Sequence, residues 1–174
     1  MGRFDEAEAL FDQAIGRVWR LRPVDRERLR LLSLCLAGVS WSRGDYERAE
    51  AMYREHLGDD AAIASSLGVV LRDQGRFEEA RPLLRTGLDH LVAISRLGSI
   101  WESNGLVNLA RLEFMAGNYD LAERLAVRAL EIRGQWLPDQ HTGVAEARRL
   151  LALIHSATNR FLTAEKLLGS ALAI

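Results

Sequence analysis

Asn104, Asn108 and Arg111 stand at i, i+4 and i+7, the spacing that puts three side chains on one face of a helix. An asparagine amide donates and accepts hydrogen bonds at once, so it can hold a peptide backbone. A guanidinium can clamp a carboxylate through two parallel bonds. Ser65, Ser66 and Arg72 form a second polar set upstream, and Arg149 with Glu146 nearby forms a third. Trp41 adds an aromatic side chain of a type common at binding hot spots. The chemistry these sets offer is recognition of a peptide, one with acidic groups or a free C-terminal carboxylate. A plain solvated polar face would also use these residue types.

Catalytic chemistry has no comparable residues. There is no G-x-S-x-G, no Walker loop, no H-E-x-x-H and no paired C-x-x-C. His56, His90, His141 and His155 are scattered, and none has a second histidine or a cysteine at i+3 or i+4. His155 reads as a core histidine. Glu78–Glu79 and Asp59–Asp60 suit helix N-termini and turns. Cys35, the single cysteine, excludes an internal disulfide and reads as a buried, inert thiol among the leucines of "RLLSLCLAG". A non-enzymatic chain is expected, with no metal and no cofactor.

The totals narrow the partner. The chain has 174 residues, 48% apolar and 27% charged, which suits one folded domain over 1–174. Its 23 basic and 24 acidic residues leave a net charge of −1, without the basic excess of a nucleic-acid binder. Arginine outnumbers lysine 22 to one, Lys166, which reads as codon bias. No apolar run approaches the ~20 residues that cross a bilayer, and no leader is visible. A cytoplasmic protein without membrane or direct nucleic-acid contact is expected.

What positions these side chains is a repeated phrase: "MGRFDEAEALF", "SRGDYERAEAMY", "DQGRFEEARPLL", "MAGNYDLAERLA" and "ATNRFLTAEKLL". Its turn markers are Gly2, Gly44, Gly75, Gly117 and Asn159, in steps of 42, 31, 42 and 42. Glycine gives positive φ freely and asparagine tolerates it best among the rest. Two residues on stands an aromatic (Phe4, Tyr46, Phe77, Tyr119, Phe161), read as a core position. Three further comes alanine: Ala7, Ala49, Ala80, Ala122, Ala164. Upstream of each marker after the first lies a second periodic segment, roughly 25–43, 60–74, 99–116 and 143–157. Each carries a leucine and a small residue: Leu36–Ala37, Leu67–Gly68, Leu109–Ala110, Leu151–Ala152. No segment alternates as a strand does. The pattern predicts helical hairpins, with small residues where helices approach closely. The 31-residue step is assigned to a shortened connection near "HLGDDAA", turning at Gly58, Asp59 and Asp60.

Leucine–small, Gly–x–aromatic, then alanine resembles the tetratricopeptide repeat over nearly the whole chain. The 42-residue step, "RALEIR", His141 and the following "LLA" resemble its kinesin light chain type. The resemblance implies an all-α, right-handed superhelical solenoid of antiparallel hairpins: four hairpins behind one leading helix. It also implies that the first helix of each pair lines a concave groove, giving Trp41, Ser65, Ser66, Arg72, Asn104, Asn108, Arg111 and Arg149 as groove residues. That type's adjacent asparagine pair survives only as Asn108, so its cargo specificity does not carry over, and the Lys/Asn clamp of chaperone-binding members is absent.

A solenoid needs polar faces at its ends. Here Leu10, Phe11 and Ile15 at one end, and some of Phe161, Leu167, Leu168 and Leu172 at the other, are expected to lie uncovered. The chain is accordingly read as a segment of a longer protein, with homodimerisation through the ends as the other option. The expected function is a protein- or peptide-binding scaffold. The rival reading is a ligand- or peptide-sensing module of a bacterial transcription regulator or signalling protein.

Overall fold

Each hairpin closes through the same turn geometry. The computed structural model describes residues 2–21, 25–95 and 98–172. Gly44, Gly75 and Gly117 take φ of 85°, 78° and 82°, and Asn159 takes 61° in the glycine's place. In all four turns the N–H one residue past the marker donates to the carbonyl four residues before it: Asp45 to Ser40, Arg76 to Leu71, Asn118 to Glu113 and Arg160 to His155, at 2.8–2.9 Å. This is the 6→1 bond that satisfies a carbonyl left over at a helix end.

Among the described residues the regular elements are all helical: α1 (Gly2–Trp19), α2 (Arg26–Arg43), α3 (Tyr46–Glu55), α4 (Ala61–Asp73), α5 (Phe77–Ile94), α6 (Ile100–Met115), α7 (Tyr119–Trp136), α8 (Thr142–Ala157) and α9 (Phe161–Leu172). Local chemistry starts several of them. Asp25, Asp45, Asp60 and Ser99 accept N–H bonds from the first turns of α2, α3, α4 and α6. His141 does so for α8 through Nδ1. Gly58 turns with φ of 42° just before the Asp60 cap. The 31-residue step comes largely from α3 itself, which has 10 residues where α1, α5 and α7 have 18. The expected shortening of a connection is thus mainly a shortening of a helix.

We call α2, α4, α6 and α8 the A helices and α1, α3, α5, α7 and α9 the B helices. The hairpins α2–α3, α4–α5, α6–α7 and α8–α9 follow the leading α1, and each earlier B helix also packs on the next A helix. A helices touch directly at α4–α6 and α6–α8. The leucine–small pairs are buried at every repeat, as are Ala49, Ala80, Ala122 and Ala164. Gly68 is needed for close approach: a Cβ there would lie 2.8 Å from Leu84 Cγ. One apolar cluster runs from Ala37 to Leu112 and a second from Leu106 to Ile154, both drawing on α6.

The aromatic that opens each B helix is not a core residue throughout. Phe4, Tyr119 and Phe161 are exposed, while Tyr46 and Phe77 are partly buried against the core. Each ring stands in the first turn of its helix, at the edge of the packed stripe rather than in its middle. Cys35 is likewise exposed, not buried. It precedes Leu36 by one residue, so it is rotated about 100° from the buried stripe. Trp136 is exposed too, and Nε1 donates to Gly98 O at 2.5 Å, a polar tie between repeats.

Candidate peptide-binding face of the A helices

The A helices bring the sequence-predicted residues to one layer, but most of their polar groups are engaged within the chain. Trp41 keeps part of its ring in solvent and donates Nε1 to Asp73 Oδ2 at 2.8 Å, tying α2 to α4. Arg72 is 2% exposed and lies against Asp73, with Nε to Oδ1 at 2.8 Å and Nη2 to Oδ1 at 2.7 Å. Burial pushes its guanidinium below the ordinary arginine value, opposed by the Asp73 charge. Its placement as an accessible groove residue therefore does not match this structure. Ser66 donates to Ala62 O at 3.1 Å, and Ser65 packs where a Cβ on Gly87 of α5 would stand.

Asn104 and Arg111 serve a network that sequence reasoning missed. Its centre is Arg133 of α7, a buried arginine that donates Nη2 to Asn104 Oδ1 at 2.9 Å, Nε to Ser103 Oγ at 3.2 Å and Nη1 to Glu146 Oε2 at 3.1 Å. It also bonds the Gly143 carbonyl. Arg111 donates to the other Glu146 oxygen at 3.0 Å. Glu146 of α8 thus bridges α6 and α7. The available signal was the i, i+4, i+7, i+11 series Ala122, Ala126, Ala129, Arg133, which carries an arginine onto a buried stripe.

The side chains of Asn108, half-buried, and Arg149, exposed, have no hydrogen bond or ion pair among the described residues. Arg149 borders a cleft of about 240 Å³ between α6 and α8, with Arg111, Phe114, Met115, Glu146 and Leu153 around it. Apolar exposure recurs on these helices: Leu31 and Trp41 on α2, Met115 on α6, Leu153 on α8. Leu31, Met115 and Leu153 were not singled out by the sequence, because they fall just off the buried stripes. The layer can thus present apolar anchors beside a cation, which suits a partner with an apolar side chain next to a carboxylate. Among the described residues no cluster of three or more His, Cys, Asp or Glu could hold a metal. Nor is any helix among them long and apolar enough to cross a membrane.

Stacked antiparallel hairpins with small residues at their contacts and a layer of parallel A helices define an α-solenoid repeat protein. The chain belongs to the tetratricopeptide repeat family: one model of that repeat matches residues 59–133 and 101–174, and a second matches 1–62. Among solved structures it is similar to BtubC (BKLC) of P. vanneervenii, at 23% identity and TM-score 0.80 over 99% of this chain and 73% of that one. It is also similar to the nearly identical TPR-like repeats of a Podosopora anserina kinesin light chain, at 18% identity and TM-score 0.77 over 99% of this chain and 86% of that one. MamA from Desulfovibrio magneticus RS-1 follows at 12% identity and TM-score 0.65, over 96% of this chain and 94% of that one. These likenesses show the fold. No curated protein matches the chain.

Proposed function

We propose that the chain is a protein- or peptide-binding scaffold whose partner lies along the A-helix layer. The observation that supports this most is the cleft between α6 and α8, where the exposed Arg149 stands beside the exposed apolar side chains of Met115 and Leu153. The surrounding Arg111–Glu146–Arg133 bridge fixes the cleft walls before any partner arrives, so little ordering cost remains on binding. The preferred partner has an apolar side chain next to acidic groups or a free C-terminal carboxylate. Asn108 supplies backbone hydrogen bonding one turn away. The action is display and capture, without bond making.

The test is a peptide array of apolar–acidic segments with free and amidated C-termini, followed by anisotropy titrations of the best segments. Arg149→Ala/Leu153→Ala is expected to weaken binding about tenfold, the loss typical of an interface hot spot. Added salt is expected to weaken it further, because the carboxylate contact is screened. Equal binding by wild type and variant, or preference for basic peptides, would remove the site from this face.

A further inference from the structure

The cleft between α6 and α8 holds more positive charge than its one carboxylate balances. Arg111 and Arg149 line it together with Glu146. Glu146 gives one oxygen to Arg111 at 3.0 Å and the other to the buried Arg133 at 3.1 Å. One negative charge is therefore shared by two guanidiniums. The third guanidinium, Arg149, has no ion pair among the described residues.

No other acid on these helices answers that charge. α6 and α8 carry Glu102, Glu113 and Glu146. Glu102 accepts from the backbone N–H of Gly98 at 2.6 Å, ahead of α6. Glu113 is held by Arg81 of α5. On α4, Asp73 is taken up by Arg72 and Trp41. Elsewhere the chain matches its arginines between repeats: Glu50 of α3 accepts from Arg76 at 2.7 Å, and Glu123 of α7 from Arg160 at 2.6 Å. The cleft is left with an excess of two positive charges in a chain whose net charge is −1.

Donors are in excess as well. Among the described residues Arg111 uses only Nη2, toward Glu146, and Arg149 uses no side-chain N–H. A guanidinium has five N–H groups, so most donors of both arginines remain for a ligand. A carboxylate brings two oxygens and a single charge. A phosphorylated serine or threonine brings three oxygens and a charge of about −1.5 to −2 at neutral pH. The arginine fork fits phosphate through two parallel bonds. The dianion thus balances an excess that a carboxylate leaves half unmet. Met115 and Leu153 are exposed beside the arginines, giving an apolar neighbour on the same segment a place to lie. That chooses a phosphate carried by a peptide over a free ion.

We infer that the cleft reads a phosphorylated serine or threonine next to an apolar residue, so that phosphorylation of the partner switches its capture on. This rests on the peptide-binding reading above and narrows it. Arg149 and Arg111 hold the phosphate oxygens. Leu153 and Met115 take the apolar neighbour, and Glu146 with Arg133 keeps Arg111 in place.

The probes are four fluorescein-labelled, C-terminally amidated peptides, identical but for one residue between two leucines: phosphoserine, O-sulfoserine, aspartate or serine. Sulfoserine keeps the tetrahedral shape and three outer oxygens of phosphoserine but carries one negative charge. Anisotropy titrations with the full chain should place phosphoserine about tenfold tighter than sulfoserine and aspartate, with serine weakest. Arg149→Met should bring phosphoserine down to the level of aspartate. Leu153→Ala should weaken all four by a similar factor. Both substitutions fall at exposed positions, and circular dichroism checks that the helices are kept. Equal binding of phosphoserine, sulfoserine and aspartate, each weakened by Leu153→Ala, would overturn this inference and leave the peptide-binding reading standing. A phosphoserine preference untouched by Arg149→Met would overturn it by moving the phosphate elsewhere. Displacement of the peptide by equimolar inorganic phosphate would give the site to the free ion. Absence of saturable phosphoserine binding would also overturn it, and if the apolar–acidic array is silent too, the peptide-binding reading falls with it.

Discussion

Glu113 carries a charge at 1% exposure, and its setting explains why the α5–α6 junction tolerates it. Arg81 donates to both carboxylate oxygens, and Asn118 donates to one of them as well. Removing one partner of such a pair leaves a buried charge uncompensated, which is costlier than never having built the pair. Arg81→Ala is therefore expected to destabilise the fold by about 3 kcal/mol, read from urea denaturation. The swap Arg81→Glu/Glu113→Arg, which installs the polarity found at α3–α4, should recover part of that loss; no recovery would mean the site is specific to its present geometry. The pair also sets an acid limit. Burial alone would raise the Glu113 carboxyl, but the bonds from Arg81 and Asn118 outweigh it and hold the group below the ordinary range. Arg160, against some burial, does the same for Glu123, with help from His155. A carboxyl whose folded value is depressed contributes stability that is complete above its unfolded value and lost as pH falls through the folded one. Melting temperature should thus hold steady down to about pH 4.5 and then fall. Glu113→Gln should start from a lower melting temperature and lose less of it on acidification; an unchanged acid slope would show that the carboxyl does not carry this linkage.

At the scale of the helix, close approach decides which small residues are required. A Cβ on Gly68 would meet Leu84 Cγ at 2.8 Å and Ala80 O at 3.2 Å. The backbone oxygen cannot swing away, so Gly68→Ala should overpack α4 against α5 and cost about 1–3 kcal/mol. Gly134, in α7, is different: a Cβ added there would have nothing within 4 Å. Gly134→Ala should therefore stabilise by roughly 0.5–1 kcal/mol through helix propensity alone. Paired thermal melts test both signs; a neutral Gly68→Ala would show that the hairpin can open without penalty. The same contrast marks how far the sequence could be read. The turn markers Gly44, Gly75, Gly117 and Asn159, the leucine–small pairs and hairpin order were legible, because positive φ and the i, i+3, i+4 stripe are local constraints, whereas Gly2 lies within α1. The exposed thiol of Cys35 and the rim aromatics were misplaced, because apolar neighbours in sequence do not fix rotational phase. The candidate face was legible in outline only. Asn104, Arg111 and Arg72 sit on A helices as expected, yet whether their hydrogen-bonding groups are available depends on Arg133, Glu146 and Asp73. For Asn104 and Arg111 those partners lie 29 to 35 residues away, outside any local window.

Across the whole molecule, each hairpin touches only its neighbours, so stability is expected to be distributed along the chain rather than held in one centre. α6 stands where the two apolar clusters meet: Leu109 and Leu112 belong to one, Leu106, Val107 and Ala110 to the other. At the ends the core thins. α1 contributes Val18 to the buried apolar set and α9 contributes Ala164, while α6 buries residues along most of its length. Amide exchange should therefore be slowest in α4 to α8 and faster in α1 and α9. Leu112→Ala, which opens a cavity at the junction, should cost about 2–5 kcal/mol and lower protection on both sides of α6. Ala164→Asp should instead lower protection in α8 and α9 while leaving α2 to α5 as they were. If the second substitution lowered protection uniformly, the chain would be one cooperative unit. If protection falls only locally, the α8–α9 hairpin opens as a separable unit and the α2–α4 part of the A-helix layer keeps its own stability.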